Sequence, residues 1–138
     1  MSIEFIVDVG GFTFESKDLY RTKAQTLLGL EHFNKDLILQ VIFLDDETLL
    51  LMNKEFLNHD YYTDIITFPI EESEDKLEAE LYISIDRVRD NAQIEDERFS
   101  NELLRVFLHG ILHLIGYKDD TAQAKKIVRD KESFYMSY

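Results

Sequence analysis

Hydrophobic residues alternate with polar ones in some stretches of this chain and recur every three or four positions in others. The first pattern is typical of β-strands and the second of amphipathic helices. The residues at 37–44, LILQVIFL, are apolar almost throughout, which is typical of a strand covered on both faces. In chain order, the pattern predicts a strand over 3–9, a helix over 17–32, a strand over 37–44, a helix over 45–57, strands over 63–69 and 80–85, a helix over 87–94, a long helix from about 100 to 116, and a last helix over 121–135.

Polar residues that precede these helical patterns predict where each helix begins. The expected caps are Ser16, Asp45 or Asp46, Asp86 and Ser100. The acidic segment 71–80 has no apolar period, and we interpret it as a hairpin loop with a solvated tip. Leu19, Ala24, Leu27 and Leu28 are expected to form the buried stripe of the first helix. The order β-α-β-α-β-β-α-α-α predicts a single α+β domain over residues 1–138, with a mixed sheet of about four strands covered by helices.

Composition narrows the class of protein. The chain has 138 residues, of which 45% are hydrophobic, and this is enough to bury a substantial core in one domain. It contains no cysteine, so any metal site must use His, Asp or Glu. The N-terminal stretch does not resemble a signal peptide, and no apolar stretch is long enough to span a membrane. We therefore expect a soluble cytoplasmic protein.

The charge of the chain is unevenly distributed. The net charge is −13, which argues against a nucleic-acid partner because phosphate groups repel it. Residues 1–86 carry 6 basic and 19 acidic side chains, whereas residues 87–138 carry 9 of each. The second segment is neutral, so a local basic groove is compatible with its composition.

Two histidines in the neutral segment have the spacing of metal ligands. His109 and His113 are four residues apart on a predicted helix, so both imidazoles lie on one face. Gly116 can end this helix, and the chain can then return Asp119 or Asp120 toward the histidines. Two imidazoles and one carboxylate suit a catalytic zinc site with one open position. The apolar face of the helix would hold the site rigidly.

The segment 109–120, HGILHLIGYKDD, resembles the signature of the YbeY family of metal-dependent endoribonucleases. The family has Asp and His where this chain has Lys118 and Asp119, so the resemblance assigns Asp119 as the third metal ligand beside His109 and His113. A second block, TDIITFP at 63–69, resembles the Thr-Asp-Val-Leu-Ser-Phe-Pro block of the same family, and its residues are typical of a strand. The loop before it lacks the family's arginine, and His59 is a candidate to substitute for it in substrate contact.

The resemblance implies a metal-dependent, single-strand-specific endoribonuclease involved in ribosomal RNA maturation and ribosome quality control. It implies one divalent metal ion per chain. We expect zinc, or manganese or iron because a carboxylate is a harder ligand than imidazole. Lys118 and His59 are the candidate catalytic residues, Lys118 because it can neutralise charge on the scissile phosphate. The expected partners are ribosomal RNA and ribosomal or ribosome-associated proteins, with no membrane and no DNA.

Two other functions are compatible with the histidine pair. Zinc peptidases use His-Glu-x-x-His, but the second position here is Gly110, so the glutamate that activates water is missing. A ribosome-associated RNA-binding protein with a structural metal is the other alternative. Structural zinc sites use four protein ligands and often cysteine, so three evident ligands without cysteine fit an open site better.

Overall fold

The structure, a computed structural model, describes residues 1–138 and contains four strands and five helices. These elements follow the predicted order. None of the helices combines the length and the apolar character that a membrane crossing requires. In chain order they are β1 (Ser2–Val7), α1 (Lys17–Leu30), β2 (Asp36–Leu44), α2 (Asp46–Leu57), β3 (Ile65–Glu72), β4 (Lys76–Ser84), α3 (Ile85–Ile94), α4 (Phe99–Leu114) and α5 (Ala122–Ser137).

The four strands form one mixed sheet in the order β1-β2-β4-β3. β1, β2 and β4 are parallel; α1 connects β1 to β2, and α2 and β3 lie between β2 and β4. The short connection between β3 and β4 makes that pair antiparallel. The single α+β domain with a four-stranded mixed sheet is therefore confirmed.

The main core lies between one face of the sheet and α1, α4 and α5. A smaller cluster of Ile42, Leu44, Leu49 and Ile66 lies beneath α2. β2 is consequently covered on both faces only near its C-terminal end, while Gln40 is exposed. The prediction of coverage on both faces was right only for the end of β2 that α2 reaches.

The acidic segment 71–80 is not a loop along its whole length. β3 continues to Glu72 and β4 begins at Lys76, so only residues 73–75 connect them. Leu77 and Ala79 are buried and alternate with polar residues, which is the strand period that the many acidic side chains obscured. The hairpin was predicted correctly, but the length of its loop was wrong.

The helix starts also differ in part from the prediction. Asp45 caps α2 as expected, because its side chain accepts a hydrogen bond from the backbone of Thr48. Ser84, and not Asp86, caps α3 by accepting from the backbone of Arg87 at 3.1 Å. A serine directly before the helix reaches the first free N–H groups, whereas Asp86 is already helical.

Of the five helices, α1 and α4 begin without a side-chain cap. Arg98 stands at the N-cap of α4, so the predicted Ser100 is inside the helix. Ser16 is at the N-cap of α1 but makes no capping hydrogen bond. In α1 the buried stripe uses Tyr20 where the prediction used Leu19, which is exposed.

Candidate functional site

Gly110 lets α4 lie directly on the sheet. A Cβ atom at this position would be 2.7 Å from Cδ1 of Ile65 and 3.0 Å from Cδ1 of Leu81, closer than packed carbon atoms approach. Ile111 and Leu112, which follow Gly110 in α4, are buried. His109 is partly exposed, and His113 is exposed. The close packing thus fixes the height of both histidines above β3.

The chain turns sharply where α4 ends. The backbone N–H of Gly116 donates to the carbonyl of His113, and that of Tyr117 donates to the carbonyl of Leu112, which is the Schellman pattern. Gly116 has φ = 117°, a value that favours glycine. The predicted helix end is confirmed, and the turn brings Oδ2 of Asp119 to 3.4 Å from Nε2 of His109.

A pocket of about 440 Å³ opens beside this turn. It gathers four of the five predicted site residues: His59, His109, His113 and Asp119. Lys118, the fifth, is exposed and does not line the pocket, and neither does Asp120. The full set of lining residues is Asn53, Leu57, His59, Tyr61, Thr63, Asp64, Ile65, Ile66, Thr67, His109, His113 and Asp119.

Imidazole nitrogens and a carboxylate oxygen are ligands that a divalent metal ion accepts. In the structure, however, no three His, Asp or Glu side chains lie close enough together to hold one. Two ligands of a tetrahedral zinc ion lie about 3.3 Å apart, given bonds of about 2.0–2.1 Å. The separation of 3.4 Å between His109 and Asp119 matches this value. The ring of His113 is parallel to that of His109, with centroids 6.3 Å apart, so it lies on the same face but stands off from the pair. The assignment of these three residues as ligands remains a prediction.

Glu132 of α5 orients His109. The carboxylate is 3% exposed and accepts a hydrogen bond from Nδ1 of His109 at 2.8 Å. This bond, more than the opposing effect of burial, raises the pKa of His109. It also leaves Nε2 directed toward Asp119. A carboxylate on the distal nitrogen is the usual support of a metal-binding histidine.

Asp64 is a second carboxylate that the sequence analysis did not single out. Its Oδ2 accepts from the amide of Asn91 at 3.1 Å, and burial raises its pKa. It lies between the main pocket and a second one of about 350 Å³ on the other side of His109. Arg105 and Arg129 line this second pocket together with Glu132.

The loop that follows α2 forms one wall of the pocket. Asn53 is buried, and its side-chain amide donates to the carbonyl of Tyr61 at 2.9 Å. The backbone carbonyl of Asn53 accepts from the backbone N–H of His59. The ring of Tyr61 stacks on that of His59, with centroids 5.1 Å apart and planes at 20°. One buried asparagine therefore fixes the backbone on which both aromatic rings stand.

Weak signals for these missed residues are present in the sequence. In α5, the buried positions Val128, Glu132 and Tyr135 follow helical spacing, so an acid occupies a position where an apolar residue is expected. Asp64 directly precedes a strand, β3. No local pattern marks Asn53, because its role depends on a loop that folds back on it.

The fold and the pocket define an α+β protein with a histidine–carboxylate site at the C-terminal end of a buried helix. The family model described as Endoribonuclease YbeY matches residues 9–138, and the chain belongs to this family. The Endoribonuclease YbeY of Cytophaga hutchinsonii is 50% identical over 117 residues, which cover 85% of this chain and 81% of that protein. The Endoribonuclease YbeY of Amoebophilus asiaticus is 46% identical over 98 residues, 71% of this chain and 67% of that protein.

A solved structure supports the fold. The solution structure of TM1509 from Thermotoga maritima superposes with a TM-score of 0.64 at 27% identity, covering 98% of this chain and 87% of that one. The resemblance inferred from the histidine motif is therefore confirmed at the level of the family.

Proposed function

We propose that this chain is a metal-dependent, single-strand-specific endoribonuclease that acts in ribosomal RNA maturation and ribosome quality control in the cytoplasm. Family membership makes it an endoribonuclease, a hydrolase that acts on RNA. The finer statements, which concern the metal, ribosomal RNA, ribosomal or ribosome-associated protein partners and the cytoplasm, are our proposal.

The observation that carries the proposal is the pocket beside the end of α4. It brings the side chains of His109, His113 and Asp119 together although the turn at Gly116 separates the carboxylate from the histidines. Glu132 presents Nε2 of His109 to the pocket. Packing of α4 and the buried hydrogen bond to Glu132 hold His109 in one orientation, which supports hydrolytic chemistry at this pocket.

The residues proposed to hold the metal are His109, His113 and Asp119. A bound divalent ion would polarise a phosphoryl oxygen or lower the pKa of water. We propose zinc, with manganese or iron as alternatives favoured by the carboxylate. Lys118 does not line the pocket, and its proposed role in neutralising charge on the scissile phosphate remains a prediction. His59 lines the pocket from the loop that follows α2.

Peptidase chemistry is disfavoured by the residue that follows His109. The glutamate of the zinc-peptidase motif would have to occupy position 110, where even a Cβ atom would approach Ile65 to 2.7 Å. The other alternative, a ribosome-associated RNA-binding protein with a structural metal, differs from our proposal in predicting binding without turnover.

The test combines elemental analysis of the purified protein with digestion of single-stranded and duplex RNA, with and without chelator. We expect one metal ion per chain and cleavage of single-stranded RNA that chelator abolishes. His113→Asn should lose both, whereas His32→Asn, at an exposed histidine away from the pocket, should lose neither. Metal binding without cleavage would favour the structural alternative. Equal cleavage by the chelated and the metal-loaded protein would contradict the metal-dependent mechanism.

A further inference from the structure

The pocket is lined by neither lysine nor arginine. Two of its twelve lining residues, Asp64 and Asp119, are acidic. The nearby Lys54 is 3.2 Å from Asp60 in an ion pair. Single-stranded RNA is usually held by a basic groove together with aromatic stacking. In this pocket the groove is missing, so the protein must obtain affinity for RNA from other contacts.

Aromatic surface is available at the same place. Tyr61 is 56% exposed although it lines the pocket, and one face of its ring is covered by His59. Its hydroxyl is 2.9 Å from Nδ1 of His59, which fixes the two rings relative to each other. The other face of the Tyr61 ring has no aromatic partner in the structure. A flat, exposed and immobilised ring beside a hydrolytic site is suited to stacking against a planar ligand.

We propose that Tyr61 and His59 form a stacking platform for one unpaired nucleobase of the RNA substrate. The inference rests on the proposed endoribonuclease function, and it names the part of the substrate that this pocket recognises. A base within a duplex is stacked on both sides and is not free to bind the platform, so the platform selects single-stranded RNA.

The platform is built before the substrate arrives. The side-chain amide of Asn53 donates to the carbonyl of Tyr61, and the backbone carbonyl of Asn53 accepts from the N–H of His59. Asn53 is itself buried. Binding therefore does not have to order the loop, a cost that flexible binding loops incur. Hydrophobic side chains of α2, Phe56 and Leu57, are also exposed nearby. Neither is part of the platform, because only Tyr61 and His59 stack on each other.

The experiment uses the metal-loaded protein, a single-stranded RNA substrate and a short 2′-O-methyl oligoribonucleotide as a cleavage-resistant ligand. Tyr61→Ala should weaken binding of the oligonucleotide by about 5- to 150-fold, the effect of losing one stacked base. Tyr61→Phe retains the ring but loses the hydroxyl contact with His59, so it should weaken binding less than Tyr61→Ala does. Tyr62→Ala is the matched control, because Tyr62 is similarly exposed but lies outside the pocket, with its hydroxyl on Glu47.

An abasic scan shows whether a base is what Tyr61 contacts. Replacing nucleotides one at a time by abasic residues should weaken binding to the parent at one position and have no further effect at that position on Tyr61→Ala. A structural role of Tyr61 would not produce this coupling. The chain contains no tryptophan, so Tyr61→Trp places a unique fluorophore in the platform, and the oligonucleotide should quench it.

The outcomes separate this inference from the proposed function. If RNA is cleaved but Tyr61→Ala binds as tightly as the parent, the platform is refuted and the nuclease stands. If the parent does not cleave RNA but the oligonucleotide quenches Tyr61→Trp with the abasic coupling, the nuclease is refuted and the platform stands. Equal quenching by the intact and the abasic oligonucleotide would show that no base stacks on this ring, and it would overturn the inference.

Discussion

The carboxylate of Glu132 accepts a hydrogen bond from Nδ1 of His109, and 23 residues separate the two along the chain. The bond joins α5 to α4 beneath the pocket. Because Glu132 is buried and also within 3.5 Å of Arg105, its orientation is fixed from two sides. The side chain that directs His109 is therefore contributed by a helix that does not line the main pocket.

We predict that Glu132→Gln weakens zinc binding by about 10- to 100-fold, the usual effect of removing the group that supports a ligand histidine. Glutamine has nearly the same size, so the pocket keeps its shape while the negative charge behind His109 is lost. Competition with a chromogenic chelator measures the change. Asp130→Asn is the control, since Asp130 lies on the same helix but is exposed and pairs only with Lys126. An unchanged zinc affinity in Glu132→Gln would show that the negative charge of Glu132 does not strengthen metal binding through His109.

The third ligand can be tested separately, because Asp119 and Asp120 are neighbours with different placement. Asp119 lines the pocket at 3.4 Å from His109, whereas Asp120 is exposed outside it. Asp119→Ala should lower the metal content below one ion per chain, and Asp120→Ala should not. Asp119→His should bind zinc more tightly than the parent, since zinc prefers imidazole to carboxylate more than harder ions do. Loss of metal in Asp120→Ala alone would show that the third ligand is misassigned.

Local patterns were sufficient to predict the order of elements, the mixed sheet and the end of α4. They depend on the spacing of apolar residues and on Gly116, which act within a few positions of the chain. The errors arose where tertiary contacts compete with local preference. The strand at 77–79 is fixed by pairing with its neighbours, and the start of α4 is fixed by Phe99, which packs against the core.

The site was predictable only in part for the same reason. The two histidines are four residues apart, a helical spacing that is visible in the sequence. Glu132, Asp64 and Tyr61 reach the same region from α5, from the start of β3 and from the loop after α2. Their meeting depends on long-range packing, which no periodicity in a single segment encodes.

Gly110 provides a test of the close contact between α4 and the sheet. Gly110→Ala should lower the free energy of unfolding by about 1–2 kcal/mol, because overpacking against Ile65 and Leu81 exceeds the gain in helix propensity. Gly29→Ala is the matched control: it is also helical but has open space around it, so it should gain up to about 1 kcal/mol.

The atom that the new methyl group of Gly110→Ala would press against most closely can be removed. Ile65→Val deletes Cδ1, which is the nearest atom to the added methyl group at 2.7 Å. The double variant Gly110→Ala/Ile65→Val should therefore be more stable than the sum of the two single effects. Urea denaturation of all four proteins measures the coupling. Strict additivity would show that the helix shifts as a whole and does not press on Ile65.

Glu31 anchors the turn that carries Asp119. It accepts hydrogen bonds from the hydroxyls of Tyr117 and Tyr135 and from Lys131. Partial burial alone would raise the pKa of Glu31, but these three hydrogen bonds outweigh it and lower the pKa from the ordinary value of 4.5. At neutral pH, Glu31→Gln should lower the free energy of unfolding by about 1.5–3 kcal/mol, as hydrogen bonds to a charged group do.

The pH dependence of this variant follows from the direction of the shift. A carboxylate with a lowered pKa stabilises the fold above its ordinary pKa, and the stabilisation disappears as pH falls through the folded-state pKa. The difference between Glu31→Gln and the parent should therefore shrink below about pH 4.5. Glu72→Gln, at an exposed pair with Lys35, should cost less than about 1 kcal/mol at any pH. A difference at Glu31 that persists undiminished in acid would show that the charge is unimportant.

The ionisation of Glu102 should destabilise the fold, whereas that of Glu31 stabilises it. It is buried at the start of α4, and this burial, reinforced by the nearby Glu95, raises its pKa to about 8 despite the charges of Arg105 and Arg129. The folded chain therefore holds a proton that the unfolded chain releases near pH 4.5, so stability falls as pH rises between these two values. Glu102→Gln resembles the protonated form. Its denaturation midpoint should match that of the parent near pH 4.5 and exceed it above pH 8, and Glu95→Gln should reproduce part of this gain by removing the neighbouring charge. Equal midpoints of Glu102→Gln and the parent at both pH values would show that Glu102 ionises in the folded chain as it does in water.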